Sequence, residues 1–307
     1  MLRKHFPLGE VLFTRGPGDA THIAQDAVER GQNFIVAVGG DGTVHEVVNG
    51  MMLAQAGASI SAKRGKHDLP GSQHDPHRDK HGVDPVLGVW PAGSGSDFAR
   101  GVGIPGDSEL ALDLLVTGTP RRVDVGRIHC HDEDGKPVDR YYINAADFGL
   151  GAVVCRRLQR PSRFLPGRPS YLWQTVRALF TFRNPVVELA IDDQPYVRHK
   201  ITSVVMANNA YFGGGMCIAP GARVDDGAFD LVIVGDLGRF EAIRRLGETF
   251  SGNRIRHPEV RYSQCQRLEA RSESQVYLEA DGEMVGELPA VFELEKYVLS
   301  VMVGPIC

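Results

Sequence analysis

Long apolar runs, paired cysteines and a strong excess of charge of either sign are all missing from this sequence. No run approaches the roughly 18 apolar residues that span a bilayer, and MLRKHFPLGEVLF at the N-terminus lacks the apolar core of a secretory signal. The net charge of −4 gives no electrostatic argument for a nucleic-acid partner. Because no CxxC pair occurs, we expect reduced thiols in a cytoplasmic protein; the cysteines are Cys130, Cys155, Cys217, Cys265 and Cys307.

The patterns that are present divide the 307 residues into two parts. Up to about residue 120, apolar runs typical of buried parallel strands, FIVAV and VLGVW, alternate with helix-like segments. From residue 121, many short strand-like runs follow, interrupted by two helical segments around Tyr171–Thr181 and Phe240–Phe250. We therefore predict an α/β domain over residues 1–120 and an antiparallel β-sandwich or barrel over residues 121–307, whose last strand is a candidate to return to the first domain.

Residues 57–85 break the alternation of the first part. The segment is polar and contains glycine, proline, both charge signs and four histidines. The histidine spacing matches no pair on a helix face and no cysteine accompanies it, so a solvated surface insertion is favoured over a metal site. The histidines are His67, His74, His77 and His81.

The strongest chemical signal is the loop Gly39-Gly40-Asp41-Gly42-Thr43, which lies between a buried strand and an amphipathic helix. Glycines let backbone N–H groups approach phosphate oxygens, and a helix N-terminus adds positive partial charge. A carboxylate would repel phosphate unless it holds a cation or takes a proton, so Asp41 favours Mg²⁺-dependent phosphoryl transfer. A plain strand-to-helix turn capped by the Asp is the alternative.

A second loop, PAGSGSDFAR at residues 91–100, repeats this arrangement of strand, glycines and carboxylate. Ligands of open α/β sheets bind at the carboxyl ends of the strands, so both loops are predicted to face one nucleotide. The sequence contains neither a GxxxxGK[ST] loop nor a dinucleotide-binding GxGxxG after a strand. P-loop proteins and Rossmann oxidoreductases are therefore disfavoured.

Taken together, the motifs resemble the diacylglycerol kinase catalytic-domain family, which includes bacterial lipid kinases, sphingosine kinases and ceramide kinases. GGDGTVHEVVNG and PAGSGSDFAR carry the resemblance, which continues through RRVDVGRI, INAADFGLGA, APGARVDDGAFDLVIV and EADGE in that order. The resemblance implies an α/β nucleotide-binding domain similar to phosphofructokinase and NAD kinase, followed by a β-sandwich. It also implies an ATP- and Mg²⁺-dependent lipid kinase, with conversion of diacylglycerol to phosphatidic acid as the first expectation.

The resemblance further implies a role for each matching residue. The loops that would bind ATP comprise Gly39, Gly40, Asp41, Gly42, Thr43, Gly93, Ser94, Gly95 and Ser96. The catalytic Mg²⁺ would be organised by Asp41, Asp97 and Asp124, and a structural Mg²⁺ site of some bacterial members matches Arg223, Asp226 and Ala228.

The acceptor hydroxyl must lose a proton as it attacks phosphorus, and a carboxylate within hydrogen-bond reach can take that proton. The resemblance implies that Asp281 is this base, with Glu283 beside it and Asp41 as the competing candidate.

Two features depart from the family. The family begins with a strand that ends in an Asn-Pro turn touching ATP, and this chain is expected to begin in the following helix, at LRKHF. The family's second loop commonly carries Thr and Asn where this chain has Ser94 and Ser96, and loss of the amide at Ser96 is expected to alter nucleotide contacts.

Two other functions stay open at this point. NAD kinases share GGDGT, which allows a kinase for a small soluble substrate, and the missing first strand allows a non-catalytic lipid or nucleotide sensor. Asp147 is equally compatible with contact to a polar lipid head group and with a buried strand end.

Basic and aromatic residues around positions 156–173 suit peripheral contact with the inner membrane face, with a solvated loop beside a core helix as the alternative. They are Arg156, Arg157, Arg160, Arg163, Phe164, Leu165, Arg168, Tyr171 and Trp173.

Overall fold

The computed structural model describes residues 5–64, 84–93, 95–158 and 168–304. The first part alternates helices and strands, because apolar runs and helix-period patterns alternate along it. Its elements are α1 (Asp19–Glu29), β1 (Phe34–Gly39), α2 (Asp41–Arg64), β2 (Val86–Pro91), α3 (Asp97–Gly101) and α4 (Ser108–Thr117).

Helix α2 begins in the first glycine loop and buries one face. Val44, Val48 and Met51 lie on that face and are buried in the core of the first part. The helix continues to Arg64, so residues 57–64 are helical, and the predicted irregular insertion does not begin at residue 57. Residues 58–64 contain neither glycine nor proline, and nothing in their backbone chemistry ends the helix. The four histidines of the predicted insertion lie outside the described residues.

The second part is rich in strands. These are β3 (Thr119–His131), β4 (Pro137–Tyr142), β5 (Ala145–Gly149), β6 (Val186–Ile191), β7 (Val197–Lys200), β8 (Ser203–Ala207), β9 (Phe229–Val234), β10 (Val260–Cys265), β11 (Arg267–Arg271), β12 (Tyr277–Ala280) and β13 (Glu283–Val303). Its helices are α5 (Leu150–Leu158), α6 (Arg168–Thr181) and α7 (Arg239–Leu246), with a 3₁₀ helix at Gly247–Phe250. None of the described helices has the length and apolarity needed to cross a bilayer.

Helix α5 is an element that the sequence pattern does not predict. Strand β5 ends at Gly149, whose φ of 110° turns the chain sharply. The side chain of Asp147 then accepts a hydrogen bond from the backbone N–H of Ala152, at 2.9 Å, and so caps the first turn of the helix. Helix α5 therefore depends on Gly149 and on the Asp147 cap, in a segment for which the sequence predicts no helix.

Strand β13 connects the two parts of the fold. It is 21 residues long and pairs antiparallel with β3, β11 and β12. Near its end it pairs in parallel with β2, with Ser300 opposite Val86, and β2 pairs in parallel with β1. Phe292 of β13 is buried in the core of the second part, while Leu299 and Val301 are buried in the core of the first. One strand thus contributes to both cores.

Candidate active site

The two glycine loops meet at one edge of the sheet. Because β1 and β2 are parallel neighbours, their carboxyl ends lie side by side, and the N–H of Ala92 donates to the carbonyl of Gly39 at 2.9 Å. A Cβ added to Gly93 would lie 2.4 Å from Cα of Gly40. This approach of backbone to backbone leaves no room for a side chain at position 93, so the glycine is required by the geometry.

Asp41 connects the two loops through its side chain. Its Oδ2 accepts from the N–H of Asp97 and its Oδ1 from the N–H of Phe98, both at 3.1 Å. Gly95 packs against the same carboxylate, because a Cβ there would lie 2.7 Å from Oδ2 of Asp41. Ser96 adopts a φ of 53°, and the predicted site residue Ser94 lies outside the described residues. The structure therefore brings the described parts of both predicted loops together around Asp41.

The turn between β12 and β13 carries Asp281, whose carboxylate is buried and fully engaged. Oδ1 accepts from the N–H groups of Asn144 and Ala145, at 2.8 and 3.2 Å. Oδ2 accepts from the N–H of Ile143 at 3.0 Å and lies 2.9 Å from Nδ1 of His45. The side chain of Asp281 has 0% relative exposure. In this structure Asp281 anchors its turn to the start of β5 and to helix α2.

Glu283 lies on the same turn but is exposed. Its Oε1 is 3.8 Å from the position that a Cβ would occupy on Gly42. The turn thus presents Glu283 to the first glycine loop while it buries Asp281. Three predicted carboxylates, those of Asp41, Asp281 and Glu283, surround the N-terminus of helix α2.

Asp124 lies on β3 and binds a different set of segments through its side chain. Its side chain is buried, and its oxygens accept from the backbone N–H groups of Gly227 and Tyr297, both at 2.8 Å. Burial raises the pKa of Asp124. Asp226, in the same turn as Gly227, is exposed and accepts from the N–H of Ala228 at 3.2 Å. Asp124 therefore binds the turn that contains Arg223, Asp226 and Ala228, through the N–H of Gly227.

The predicted magnesium ligands do not form a direct coordination shell. Within the parts of the chain that the structure describes, no three His, Cys, Asp or Glu side chains converge closely enough to hold a metal ion. Asp97 is buried, and its Oδ2 accepts from the N–H of Gly214 at 2.7 Å. The set Asp41, Asp97 and Asp124 thus consists of a pair joined by a hydrogen bond and a third residue whose side chain binds Gly227 and Tyr297.

Several residues that support the site are not predicted from the sequence. Asn209 donates to the carbonyl of Asp97 at 3.0 Å and to Oδ1 of Asn144 at 2.8 Å, so it links the second glycine loop to the segment that holds Asp281. The glycines Gly213, Gly214 and Gly215 have φ values of 61°, 82° and 101° and form a further loop beside Asp97. The motif ANNAYFGGG, an asparagine pair after a strand followed by three glycines, is the signal that could have found them.

Two buried acids lie beneath the Asp281 turn. Asp147 and Glu279 are register partners on β5 and β12, and Oε2 of Glu279 accepts from the N–H of Gly282 at 2.8 Å. Burial raises the pKa of Asp147 to about 6. Burial and the neighbouring Asp147 also raise the pKa of Glu279 well above its ordinary value. Asp147 is thus buried in the middle of β5, and its Oδ2 accepts from Oγ of Ser203 at 2.7 Å.

Comparison with known proteins agrees with this geometry. The family model for the diacylglycerol kinase catalytic domain matches residues 1–128, and the model for the YegS C-terminal NAD kinase beta sandwich-like domain matches residues 144–303. A diacylglycerol kinase of Bacillus subtilis (strain 168) is 29% identical, over 93% of this chain and 82% of its own length. A protein named "Probable lipid kinase YegS-like", from Chromohalobacter salexigens, is 29% identical over 94% of this chain and 80% of its own.

A solved structure of a diacylglycerol kinase from Bacillus anthracis str. Sterne has a similar fold, with a TM-score of 0.67 at 20% sequence identity. The match covers 99% of this chain and 88% of the other. The predicted fold class, an α/β domain with a C-terminal β-sandwich, is confirmed.

The fold and the matched catalytic domain define the protein as a kinase. More particularly, the chain belongs to the diacylglycerol kinase catalytic-domain family, in the group with a YegS-type C-terminal domain.

Proposed function

We propose that this kinase transfers the γ-phosphate of ATP to a lipid hydroxyl, with diacylglycerol as the acceptor and phosphatidic acid as the product. Relatives named diacylglycerol kinase or lipid kinase match more than nine-tenths of the chain, which supports a lipid acceptor. The observation that carries the proposal is the meeting of both glycine loops with the Asp281–Glu283 turn at the start of helix α2. Phosphoryl transfer needs phosphate-binding backbone and a proton acceptor in one place.

ATP phosphates would bind at the N-terminus of helix α2. The helix has 24 residues, and its first backbone N–H groups and its dipole both favour an anion. The contact between Gly40 and Gly93 holds the second loop beside this N-terminus. Gly39 to Thr43 and the loop around Gly95 and Ser96 are therefore the proposed nucleotide-binding residues.

Glu283 is the carboxylate that we favour as proton acceptor. Asp281, which the family resemblance favours, already accepts four hydrogen bonds and has no exposed side-chain surface. Asp41 is engaged with two backbone N–H groups of helix α3. Glu283 is exposed and its Oε1 lies near Gly42 of the first glycine loop, so a lipid hydroxyl can approach this carboxylate from solvent beside the bound phosphates.

The residues fit a Mg²⁺ that arrives with ATP better than a resident ion. Mg²⁺ in nucleotide sites keeps several waters and takes one or two carboxylates together with phosphate oxygens. Asp41 suits this role, because it is half-buried and each of its oxygens accepts one backbone N–H and retains a second lone pair. Asp97 and Asp124 would act through waters, and Mg²⁺ would offset charge on the transferred phosphoryl group.

A second, structural Mg²⁺ would be held by the exposed side chain of Asp226 and by the backbone carbonyls of Arg223 and Ala228. The exposed carboxylate and its turn are compatible with such a site, but they contribute nothing to the proposed chemistry.

A basic and aromatic surface on α5, α6 and α7 is the proposed contact with the membrane. Phe180 and Phe240 are 52% and 82% exposed, and α6 packs against both α5 and α7. Burial lowers the pKa of Arg157, and the nearby positive charge of Arg177 lowers it further. Adjacent positive charges beside exposed aromatic rings suit an anionic lipid surface.

This surface retains only part of the predicted cluster. Arg160, Arg163, Phe164 and Leu165 lie outside the described residues, as do the side chains of Arg168, Tyr171 and Trp173.

The decisive experiment is a phosphotransfer assay with labelled ATP and micelles of diacylglycerol, sphingosine or ceramide, each with and without Mg²⁺. We expect label in diacylglycerol only, and only with Mg²⁺. Glu283→Gln should lower kcat by about 10²–10⁴-fold if Glu283 accepts the proton. Label in no lipid, together with formation of NADP from NAD, would replace the proposal with a small-molecule kinase.

Two matched variants locate the base. Asp281→Asn and Asp41→Asn remove the competing carboxylates with little change in volume. Normal activity of Glu283→Gln combined with inactive but folded Asp281→Asn would return the base role to Asp281.

A further inference from the structure

A buried histidine links the two sides of the active site. His45 is 3% exposed, and its Nδ1 lies 2.9 Å from Oδ2 of Asp281. Nε2 of His45 lies 3.4 Å from Nδ2 of Asn49, which can only donate, so Nε2 is the accepting nitrogen of the ring. Nδ1 is therefore assigned as the donor to Oδ2 of Asp281. The two residues are 236 positions apart in the sequence, so this hydrogen bond joins two distant segments of the chain.

His45 belongs to a polar stripe on helix α2. Asp41, His45 and Asn49 recur at every fourth position and therefore lie on one face. Each one binds a different segment: Asp41 accepts from the start of helix α3, and His45 donates to the Asp281 turn. Asn49 donates to the carbonyl of Tyr141 and accepts from its N–H, both at 2.9 Å. The helix that begins in the phosphate-binding loop is thus joined to three segments.

Among the four donors to Asp281, His45 alone comes from the first part of the fold. The other three are consecutive backbone N–H groups at Ile143, Asn144 and Ala145, just before and at the start of β5. Without His45, Asp281 would remain attached to the second part and lose this hydrogen bond to helix α2. The distance between the glycine loop and Glu283 would then be less well fixed.

We propose that His45 is a positioning residue for phosphoryl transfer. Its Nδ1–H holds the Asp281–Glu283 turn against helix α2, so that the bound phosphates and the proton acceptor keep a fixed separation. His45 itself takes no part in the chemistry. This inference rests on the proposed kinase activity for its kinetic test, and a second test below is independent of activity.

Three substitutions vary the donor at position 45. His45→Asn retains an N–H donor at the δ position, His45→Gln moves it one bond further out, and His45→Leu removes it at similar volume. We expect kcat within about threefold of wild type for Asn, and a loss of about 10- to 100-fold for Gln and Leu, since a 1 Å misplacement costs about 10²-fold. The KM for ATP should stay within about twofold, because the glycine loops are unchanged.

The second test is amide hydrogen exchange of the full-length protein over residues 277–288. We expect faster exchange in this segment for His45→Leu and His45→Gln, and near-wild-type exchange for His45→Asn. If the wild type phosphorylates no lipid, the proposed function fails. The exchange result still decides whether the hydrogen bond from His45 holds the Asp281–Glu283 turn in place.

Equal kcat and equal exchange in the Asn and Gln variants would overturn the proposal, because donor position would then be irrelevant. An Asn variant as impaired as the Leu variant would also overturn it, because the imidazole ring and not the δ donor would then matter. If His45→Leu does not fold, the comparison of Asn with Gln decides alone.

Discussion

The glycine-loop side and the Asp281 side of the site are built in opposite ways. On the first, backbone packs against backbone, and a single added Cβ at Gly93 would lie 2.4 Å from Cα of Gly40. On the second, a buried carboxylate collects four hydrogen bonds from distant segments. The loop side depends on the missing side chain of glycine, which lets two backbones come close together. The turn side depends on buried polar groups that all have hydrogen-bond partners. The two sides should therefore fail differently when altered.

The largest effect is expected from Gly93→Ala. The added methyl group would collide with the backbone of the first loop, which cannot move aside as a flexible side chain could. We expect kcat/KM to fall by at least about 100-fold through loss of the loop geometry. Steady-state kinetics and titration with an ATP analogue would measure this.

Gly57→Ala is the matched control, because position 57 lies on helix α2 and a Cβ there meets no atom within 4 Å. This change should raise the free energy of unfolding by about 0.5–1 kcal/mol without altering kinetics. Similar kinetics for both alanine variants would contradict the steric account of the loop side.

The turn side should instead lose stability. Asp281→Asn replaces one accepting oxygen with an NH₂ group that faces donors, so at least one buried polar group loses its partner. We expect the free energy of unfolding to fall by about 1–3 kcal/mol, measured by urea titration.

Glu283→Gln separates stability from chemistry on the same turn. Because Glu283 is exposed, its amide variant should unfold within about 0.5 kcal/mol of wild type. Equal stability losses in the two variants would show that burial does not distinguish these carboxylates.

A smaller, pH-dependent effect should come from the acids beneath the turn. Burial raises the folded-state pKa of Asp147 to about 6, above its ordinary value of 3.8, so the folded protein binds a proton more tightly than the unfolded chain does. The contribution of Asp147 to the free energy of unfolding is therefore fully present below about pH 3.8, and it is lost as the pH rises through 6. Asp147→Asn should be more stable than wild type at pH 8, with a flatter dependence between pH 4 and 7.

Unfolding titrations at several pH values would measure this difference. Asp113→Asn, an exposed residue of helix α4, changes the net charge equally and should leave the profile unchanged. A wild-type slope retained in Asp147→Asn would assign the pH dependence to other groups, Glu279 first among them.

The loop side could be predicted from the sequence, and much of the turn side could not. A strand, a glycine cluster and a helical pattern are local signals, so both loops and the Asp41 position follow from neighbouring residues. His45 lies within the apolar pattern VHEVVNGMM, and its partner is 236 residues away. Asp281-Gly282 has the composition of an ordinary hairpin turn. Only the three-dimensional contacts show that one residue of this turn is buried and another is exposed.

Strand β13 has a consequence for how the protein forms during synthesis. Leu299 and Val301 contribute to the core that lies under the glycine loops, although those loops are encoded about 200 to 260 positions earlier. The nucleotide-binding half therefore cannot close its core until the ribosome has released residues near 303, well after the sandwich strands have emerged. The part translated first is completed last, and a nascent chain halted before β13 would expose the edge of β2 to unwanted strand pairing.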